Sequence, residues 1–127
     1  MLFRSNQGLV ATAATIYMSL LGAPGLRSVA TSCNANTSAL VEALIALPGV
    51  TRSFAAPFFH EAVLAFDRPV AGVLDALSSN GILGGYDLSA DYPELGNALL
   101  VCATEMRSAA DISAYADTAR EILGAAA

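Results

Sequence analysis

Residues 81–105, GILGGYDLSADYPELGNALLVCATE, decide the fold of the second half of the chain. The first glycine follows an asparagine after an apolar helical stripe, which predicts the end of a helix. Residues 82–88 predict a short strand, weakened by a pair of glycines. Residues 91–93, Asp-Tyr-Pro, predict a turn, because the residue before a proline is displaced from helical backbone angles. Residues 97–104 are apolar on both faces and predict a buried strand.

The segments on either side of this stretch extend the same small unit. Residues 58–66, FFHEAVLAF, place apolar side chains on both faces and predict a strand. Pro69 begins a short amphipathic helix that ends near Asn80. Ser108 is placed to cap the last helix, and Asp111 follows three residues later as in a capping box. These patterns predict two further elements before the opening stretch and one after it.

The N-terminal part of the chain predicts two helices. Ser5 or Asn6 can cap the first helix, and Gly22 can end it in a left-handed turn. Residues 24–47 continue at helical spacing until a Pro-Gly pair stops them. The polar middle of this segment, Thr31-Ser32 and Asn34–Ser38, is a poor helix former and allows a break.

The resulting element order is α-α-β-α-β-β-α, which predicts an α+β fold. We expect a sheet of about three strands with helices on one face, preceded by the two helices. The chain then divides into an N-terminal helical segment, residues 1–48, and a small α+β domain, residues 49–127. The apolar faces of the first two helices exceed what one small sheet can cover. The chain is therefore expected to be part of a larger assembly.

Charge and composition exclude several functions. The formal net charge is −5, and no cluster of basic residues is available to neutralise phosphates, which argues against a nucleic-acid partner. All six basic residues are arginines, so the chain cannot form a lysine Schiff base. Cys33 and Cys102 lack metal-site spacing and are read as core residues in a reducing compartment. The apolar run 9–21 is too short to span a bilayer and is read as a soluble helix rather than a signal peptide.

Two groups of polar residues allow either a functional or a structural interpretation. His60 and Glu61 could act as an acid–base pair, but neighbouring residues of a strand point to opposite faces, which favours a structural histidine. Asp87, Asp91 and Glu94 could gather a cation, although a solvated acidic loop fits their spacing better.

Two further features also allow either a functional or a structural interpretation. The pair Gly84-Gly85 could let a backbone approach a ligand, while a strand bend or bulge is the structural alternative. Arg107 follows a strand and could bind a carboxylate, or it could be a surface arginine near the start of the last helix. No set of residues in the sequence makes a complete active site, and no catalytic or metal-ligating residue is assigned.

Residues 81–108, ending in Met-Arg-Ser, resemble the C-terminal part of subunit 1 of glycine dehydrogenase (decarboxylating), the P-protein of the glycine cleavage system. The likeness extends backward through residues 57–61, Pro-Phe-Phe-His-Glu. It also includes residues 6–9, Asn-Gln-Gly-Leu, together with residues 13–21 and 25–27. The resemblance covers nearly the whole chain.

This resemblance implies a fold related to fold-type-I pyridoxal-phosphate enzymes. P-proteins decarboxylate glycine and pass the aminomethyl group to the lipoyl arm of the H-protein. In two-subunit forms the lysine that holds the cofactor lies in the other subunit. The resemblance therefore implies that this chain alone binds no cofactor and is inactive. It also implies a cytoplasmic, oligomeric assembly with the lysine-bearing subunit and the H-protein, without a membrane or nucleic-acid partner.

In such enzymes the small domain closes over the cofactor cleft, which suggests where substrate would lie. We expect Arg107 and the turn at residues 84–87 to face that cleft. The substrate-facing candidates are therefore Arg107, Gly84, Gly85 and Tyr86.

The sequence also departs from the family. Residues 1–5, MLFRS, replace a Thr-Ser-Asn-Ile-Cys-like segment, and His60 stands where the family has asparagine. Both changes weaken the transfer of ligand-contacting roles to these positions. Two other functions stay open: a non-catalytic binding or dimerisation module, and a small-ligand sensor that uses the turn at Gly84-Gly85.

Overall fold

The computed structural model of the chain describes residues 7–124. The predicted cap at Ser5 or Asn6 and the departure at residues 1–5 lie outside the described residues. The elements follow in the order α1 (Gln7–Ile45), β1 (Val50–Arg52), β2 (Glu61–Phe66), α2 (Val70–Ser79), β3 (Tyr86–Asp87), a 3-10 helix (Pro93–Leu95), β4 (Ala98–Cys102) and α3 (Ala109–Gly124).

The sheet has four strands in the order β1-β2-β4-β3, and every neighbouring pair is antiparallel. The α+β class is confirmed, but the prediction of about three strands was wrong because β1 was missed. β1 is three residues long, too short to show a period of two, and it forms only by pairing with β2. Val50 lies opposite Phe66, and the left-handed backbone of Gly49 turns the chain into this pairing.

One face of the sheet, the inner face, carries the core. Residues that lie opposite each other in the register share a face, so Ala62 and Val101 stand beside Leu64 and Leu99. All four are buried, and the helices pack over them in one continuous apolar cluster. The opposite, outer face carries the alternate residues of β2 and β4, which are partly or fully exposed except Ala98.

The cysteines follow this alternation and correct one prediction. Both were expected in the core, but only Cys33 is buried, whereas Cys102 is exposed. Cys102 lies opposite Glu61 on the outer face, at the end of β4. The strand is apolar in sequence on both faces, but the helices of this chain cover only one of them.

Most other boundaries agree with the sequence patterns. α2 lies between Pro69 and Asn80, as predicted. The predicted strand at residues 58–66 begins three residues later, at Glu61. The predicted strand at residues 82–88 is reduced to Tyr86–Asp87. Its shortness follows from the glycine pair before it, which cannot support a regular ladder.

α1 bends at Gly22, whose φ of 61° and ψ of −178° are not helical, and it continues through Pro24. This matches the two predicted helices, but no break occurs at residues 31–38. We call residues 7–26 the apolar segment and residues 33–45 the anchored segment. Every residue from 7 to 20 is exposed, whereas Leu40, Val41 and Leu44 enter the core.

α1 is long and apolar enough to cross a membrane by length and composition, and none of the apolar window that gives this result is buried. Core helices of soluble proteins and signal sequences pass the same test. The absence of a membrane partner therefore stays a prediction, as does the division of the chain at residue 48.

Candidate functional site

A cleft of about 280 Å³ opens between the start of α3, the end of β4 and the loop after α2. Its polar lining includes Arg107, Asp111 and Tyr115, and its apolar lining includes Ile82 and Leu83. The cleft thus combines one guanidinium and one carboxylate with apolar walls, a lining of the kind found in small-molecule sites.

The backbone around Arg107 is held by the anchored segment of α1. The Asn36 amide donates hydrogen bonds to the carbonyls of Thr104, at 2.9 Å, and Arg107, at 2.8 Å. The Arg107 N–H donates to the Thr104 carbonyl at 3.1 Å, which closes a tight turn. The turn fixes where the exposed Arg107 side chain begins, at the edge of the cleft.

Asp111 is the carboxylate beside Arg107 in the cleft, but it is occupied in the capping box that the sequence predicted. It accepts hydrogen bonds from the Ser108 N–H at 2.7 Å and the Ser108 hydroxyl at 2.8 Å. In return the Asp111 N–H donates to the Ser108 hydroxyl at 3.2 Å. These bonds, with a smaller effect of Arg107, lower the pKa of Asp111. Within residues 7–124, Arg107 forms no ion pair, so its charge is available to a ligand.

Tyr115 closes the inner end of the cleft. Its buried hydroxyl donates to the Gly84 carbonyl at 2.6 Å, and burial raises the pKa of the phenol. This bond connects α3 to the loop that carries the other candidates.

The glycine pair is required by packing. A Cβ at Gly84 would lie 2.5 Å from the Leu77 Cδ1 atom. Gly85 has a φ of 142°, and a Cβ there would lie 2.3 Å from the Leu100 carbonyl oxygen. Both positions therefore exclude a side chain, which agrees with the structural alternative of a bend at the sheet edge.

The four substrate-facing candidates do not converge on one point. Arg107 lines the cleft, whereas the carbonyl of Gly84 accepts a hydrogen bond from the cleft residue Tyr115. Tyr86 lies opposite Leu100 on the outer face, and its exposed side chain donates a hydrogen bond to Asp91 at 2.7 Å. Their roles toward a substrate stay predictions.

The other polar groups also have local roles. The Asp87 carboxylate accepts the Ser89 N–H at 2.8 Å, while Asp91 accepts the Tyr86 hydroxyl. Across residues 7–124 no group of three or more histidine, cysteine or acidic side chains could hold a metal. The His60 ring packs edge-on against Phe59, with centroids 4.7 Å apart.

A second polar cluster was missed by sequence reasoning. Asn34 donates to the carbonyls of Phe58, at 3.3 Å, and Phe59, at 2.7 Å. The Thr37 hydroxyl lies 3.1 Å from the His60 carbonyl oxygen and is fully buried. The signal in the sequence is the spacing of three between Asn34 and Thr37, which places both side chains on one face of the helix. These polar side chains hold the loop that precedes β2 and the loop that follows β4.

Comparisons with known proteins agree with the resemblance. No family model matches the chain. Over 119 residues the chain is 56% identical to a "Probable glycine dehydrogenase (decarboxylating) subunit 1" of Methylococcus capsulatus, covering 94% of this chain and 26% of that protein. A protein with the same description from Nitrosomonas europaea is 54% identical over 123 residues, covering 97% of this chain and 27% of its own length.

A solved structure gives the same result. The crystal structure of glycine decarboxylase (P-protein) of the glycine cleavage system, in inhibitor-bound form, matches with a TM-score of 0.87 and 29% identity. The match covers 97% of this chain and 28% of the solved chain. The chain thus spans about a quarter of the length of the curated relatives it matches. It is therefore a homologue of that part of the glycine dehydrogenase (decarboxylating) subunit 1 proteins, as the resemblance of residues 81–108 predicted.

Proposed function

We propose that the chain supplies the small α+β domain of a glycine-decarboxylating P-protein assembly. The assembly would convert glycine and the lipoyl H-protein to aminomethyl-lipoyl H-protein and CO₂. The observation that carries the proposal is the 56% identity to a subunit 1 protein over 94% of this chain. The connecting helices, residues 1–48, and the small domain, residues 49–127, would support and close over a cofactor site whose lysine lies elsewhere.

Pyridoxal phosphate is the cofactor that the family implies, and the residues of this chain do not fit a complete site for it. The sequence contains no lysine, so no side chain here can hold the cofactor covalently. We therefore assign the cofactor to the lysine-bearing second subunit, and we assign no reaction step to this chain. The assembly would be cytoplasmic and oligomeric.

Within that assembly Arg107 is the residue we expect to bind the carboxylate of the substrate. A guanidinium can donate two parallel N–H bonds to a carboxylate. The apolar walls of the cleft would exclude water around that pair when the domain closes, which strengthens it. The turn at residues 84–87 would lie at the edge of the site, because the carbonyl of Gly84 accepts a hydrogen bond from the cleft residue Tyr115.

Reconstitution tests the proposal. The chain would be co-expressed with the rest of the Methylococcus capsulatus subunit 1, then combined with the second subunit, lipoylated H-protein, pyridoxal phosphate and glycine, and CO₂ release measured. We expect release from the complete mixture and none from the chain alone. Release by the isolated chain, or equal release when the chain is left out, would contradict the proposal.

The role of Arg107 has a matched control. Arg107→Ala should raise the KM for glycine by about 10- to 100-fold, since a hydrogen bond between charged groups contributes about 1.5–3 kcal/mol. Arg120→Ala removes an arginine from the exposed face of α3, where it forms an ion pair with Asp117, and should leave the KM unchanged. An equal KM in the two variants would remove Arg107 from the site.

The alternative, a non-catalytic binding or dimerisation module, is favoured by the exposed apolar segment of α1. It predicts a stable homodimer in light scattering together with failure to bind any P-protein polypeptide. A monomer that assembles with the rest of subunit 1 would exclude this alternative.

A further inference from the structure

We propose that the apolar segment of α1, residues 7–26, is a docking surface for one occupant: the polypeptide that corresponds to the remaining length of a subunit 1 protein. The inference rests on the proposed function and adds the surface through which the assembly forms.

The segment exposes large apolar side chains. The exposed fraction is 76% for Leu9 and 81% for Leu20, and Ile16, Tyr17 and Met18 are about half exposed. At 100° per residue, these side chains and Val10 span roughly 200° of the helix circumference. That is about twice the apolar stripe of an ordinary surface helix. A broad surface or groove is needed to cover it, since one partner helix covers a single stripe.

The rest of the helix surface can be buried at little cost. The hydroxyls of Thr12, Thr15 and Ser19 donate to the carbonyls four residues earlier, at 2.9, 2.8 and 2.7 Å. Residues 7–26 contain no charged side chain. An apolar partner would therefore leave none of these three hydroxyls without a hydrogen bond and would bury no charge of this segment.

The shape of the segment limits how a partner can cover it. Within the described residues 7–124, its straight part before the Gly22 bend is about 15 residues, or roughly 22 Å, long. Pro24 lies just beyond the bend and interrupts the helical hydrogen bonding there.

The comparisons indicate which polypeptide would cover the apolar segment. The solved P-protein matches 97% of this chain, so the match leaves only a few residues out and includes most of α1. The matched part is only 28% of that chain, and only 26% of the Methylococcus capsulatus relative. The same helix thus occurs in chains that carry about three times as much additional polypeptide, which is the body available to cover it.

The test is co-purification of the tagged full chain with the untagged remainder of the Methylococcus capsulatus subunit 1, expressed together. Ile16→Asp and Leu20→Asp should each reduce the recovered partner about tenfold or more, because each buries a charge in the interface. Met106→Asp is the matched control: Met106 is 71% exposed but lies outside the segment, so recovery should not change. Circular dichroism and urea midpoints check that all three variants keep the fold.

The outcomes separate the possible occupants. Unchanged recovery of the partner with both aspartate variants would overturn the docking surface, while CO₂ release by the same mixtures would leave the proposed function standing. A homodimer that Leu20→Asp dissociates, with no partner recovered, would assign the segment to a second copy instead. Flotation of the wild-type chain with phosphatidylglycerol vesicles, lost in Leu20→Asp, would assign it to a membrane.

Discussion

The two segments of α1 are both rich in apolar residues, but only one of them is buried. Residues 7–26 have no charged side chain, yet residues 7–20 are all exposed. Residues 33–45 begin with the polar run Cys-Asn-Ala-Asn-Thr-Ser, yet they contain every buried position of the helix. α1, bent at Gly22, therefore exposes the apolar side chains of its first segment and buries part of its second, where Thr37 lies among apolar core residues.

The difference shows that burial depends on what a helix face can contact. The polar side chains of the anchored segment bind carbonyls in loops that have no strand to pair with. Leaving such carbonyls buried without a donor would cost more than burying the side chains that satisfy them. Within residues 7–124, the large apolar side chains of the apolar segment have no comparable surface to pack against and stay exposed.

The largest expected effect comes from the anchored segment. Leu44 is completely buried in the core, and Leu44→Ala should lower the free energy of unfolding by about 2–5 kcal/mol. Leu44→Met conserves volume and should cost less than about 1.5 kcal/mol. Urea denaturation followed by circular dichroism gives both values.

The apolar segment supplies the matched control. Leu20→Ala changes the same residue type at 81% exposure and should alter the free energy of unfolding by no more than about 0.5 kcal/mol. A loss at Leu20 as large as that at Leu44 would show that the isolated chain packs the apolar segment somewhere, and the contrast between the halves would be wrong.

A smaller effect should come from a hydroxyl with tertiary partners. The Thr37 hydroxyl is buried and accepts the Ala103 N–H at 3.1 Å, so Thr37→Val leaves that N–H without an acceptor. The free energy of unfolding should fall by about 1–3 kcal/mol. Thr15→Val removes a hydroxyl bonded only within its own helix and exposed to water, and should change stability by less than about 0.5 kcal/mol. Equal losses would mean that the loop contacts of Thr37 contribute nothing.

Local patterns predicted the parts of the fold that local chemistry determines. The Ser108–Asp111 capping box and the limits of α2 depend on residues within a few positions, and both are present as expected. β1 could not be predicted, because three residues become a strand only through a partner at Phe66 and Leu64. Non-local pairing decided that element.

The candidate site was predicted less completely than the fold. Arg107 could be selected from its position after a strand, and the likeness of residues 81–108 gave the family. The supports of the site come from distant parts of the chain: Asn36 fixes the turn at Arg107 across 71 positions, and Tyr115 holds Gly84 across 31. A short stretch of sequence does not contain both residues of either hydrogen-bonded pair. The cleft can therefore be recognised only in the folded structure.

The smallest expected effect concerns Cys33, at the start of the anchored segment. Its thiol donates to the Glu105 carboxylate at 3.2 Å and accepts the Glu105 N–H at 3.3 Å. Burial first, and then the hydrogen bond to Glu105, raise the pKa of Cys33 above 9.0. The unfolded chain therefore loses this proton at lower pH than the folded chain. The stabilisation is complete below the unfolded pKa and is lost as the pH rises through the folded pKa.

Urea midpoints of the wild type and Cys33→Ala, measured between about pH 8 and pH 10, test this dependence. Cys102 and Tyr115 also have raised pKa values and remain in the variant, so some loss of stability at high pH should persist. The decline should nevertheless be shallower in Cys33→Ala than in the wild type. Parallel curves would show that Cys33 ionises equally in both states, and that its contact with Glu105 does not help to fix the anchored segment.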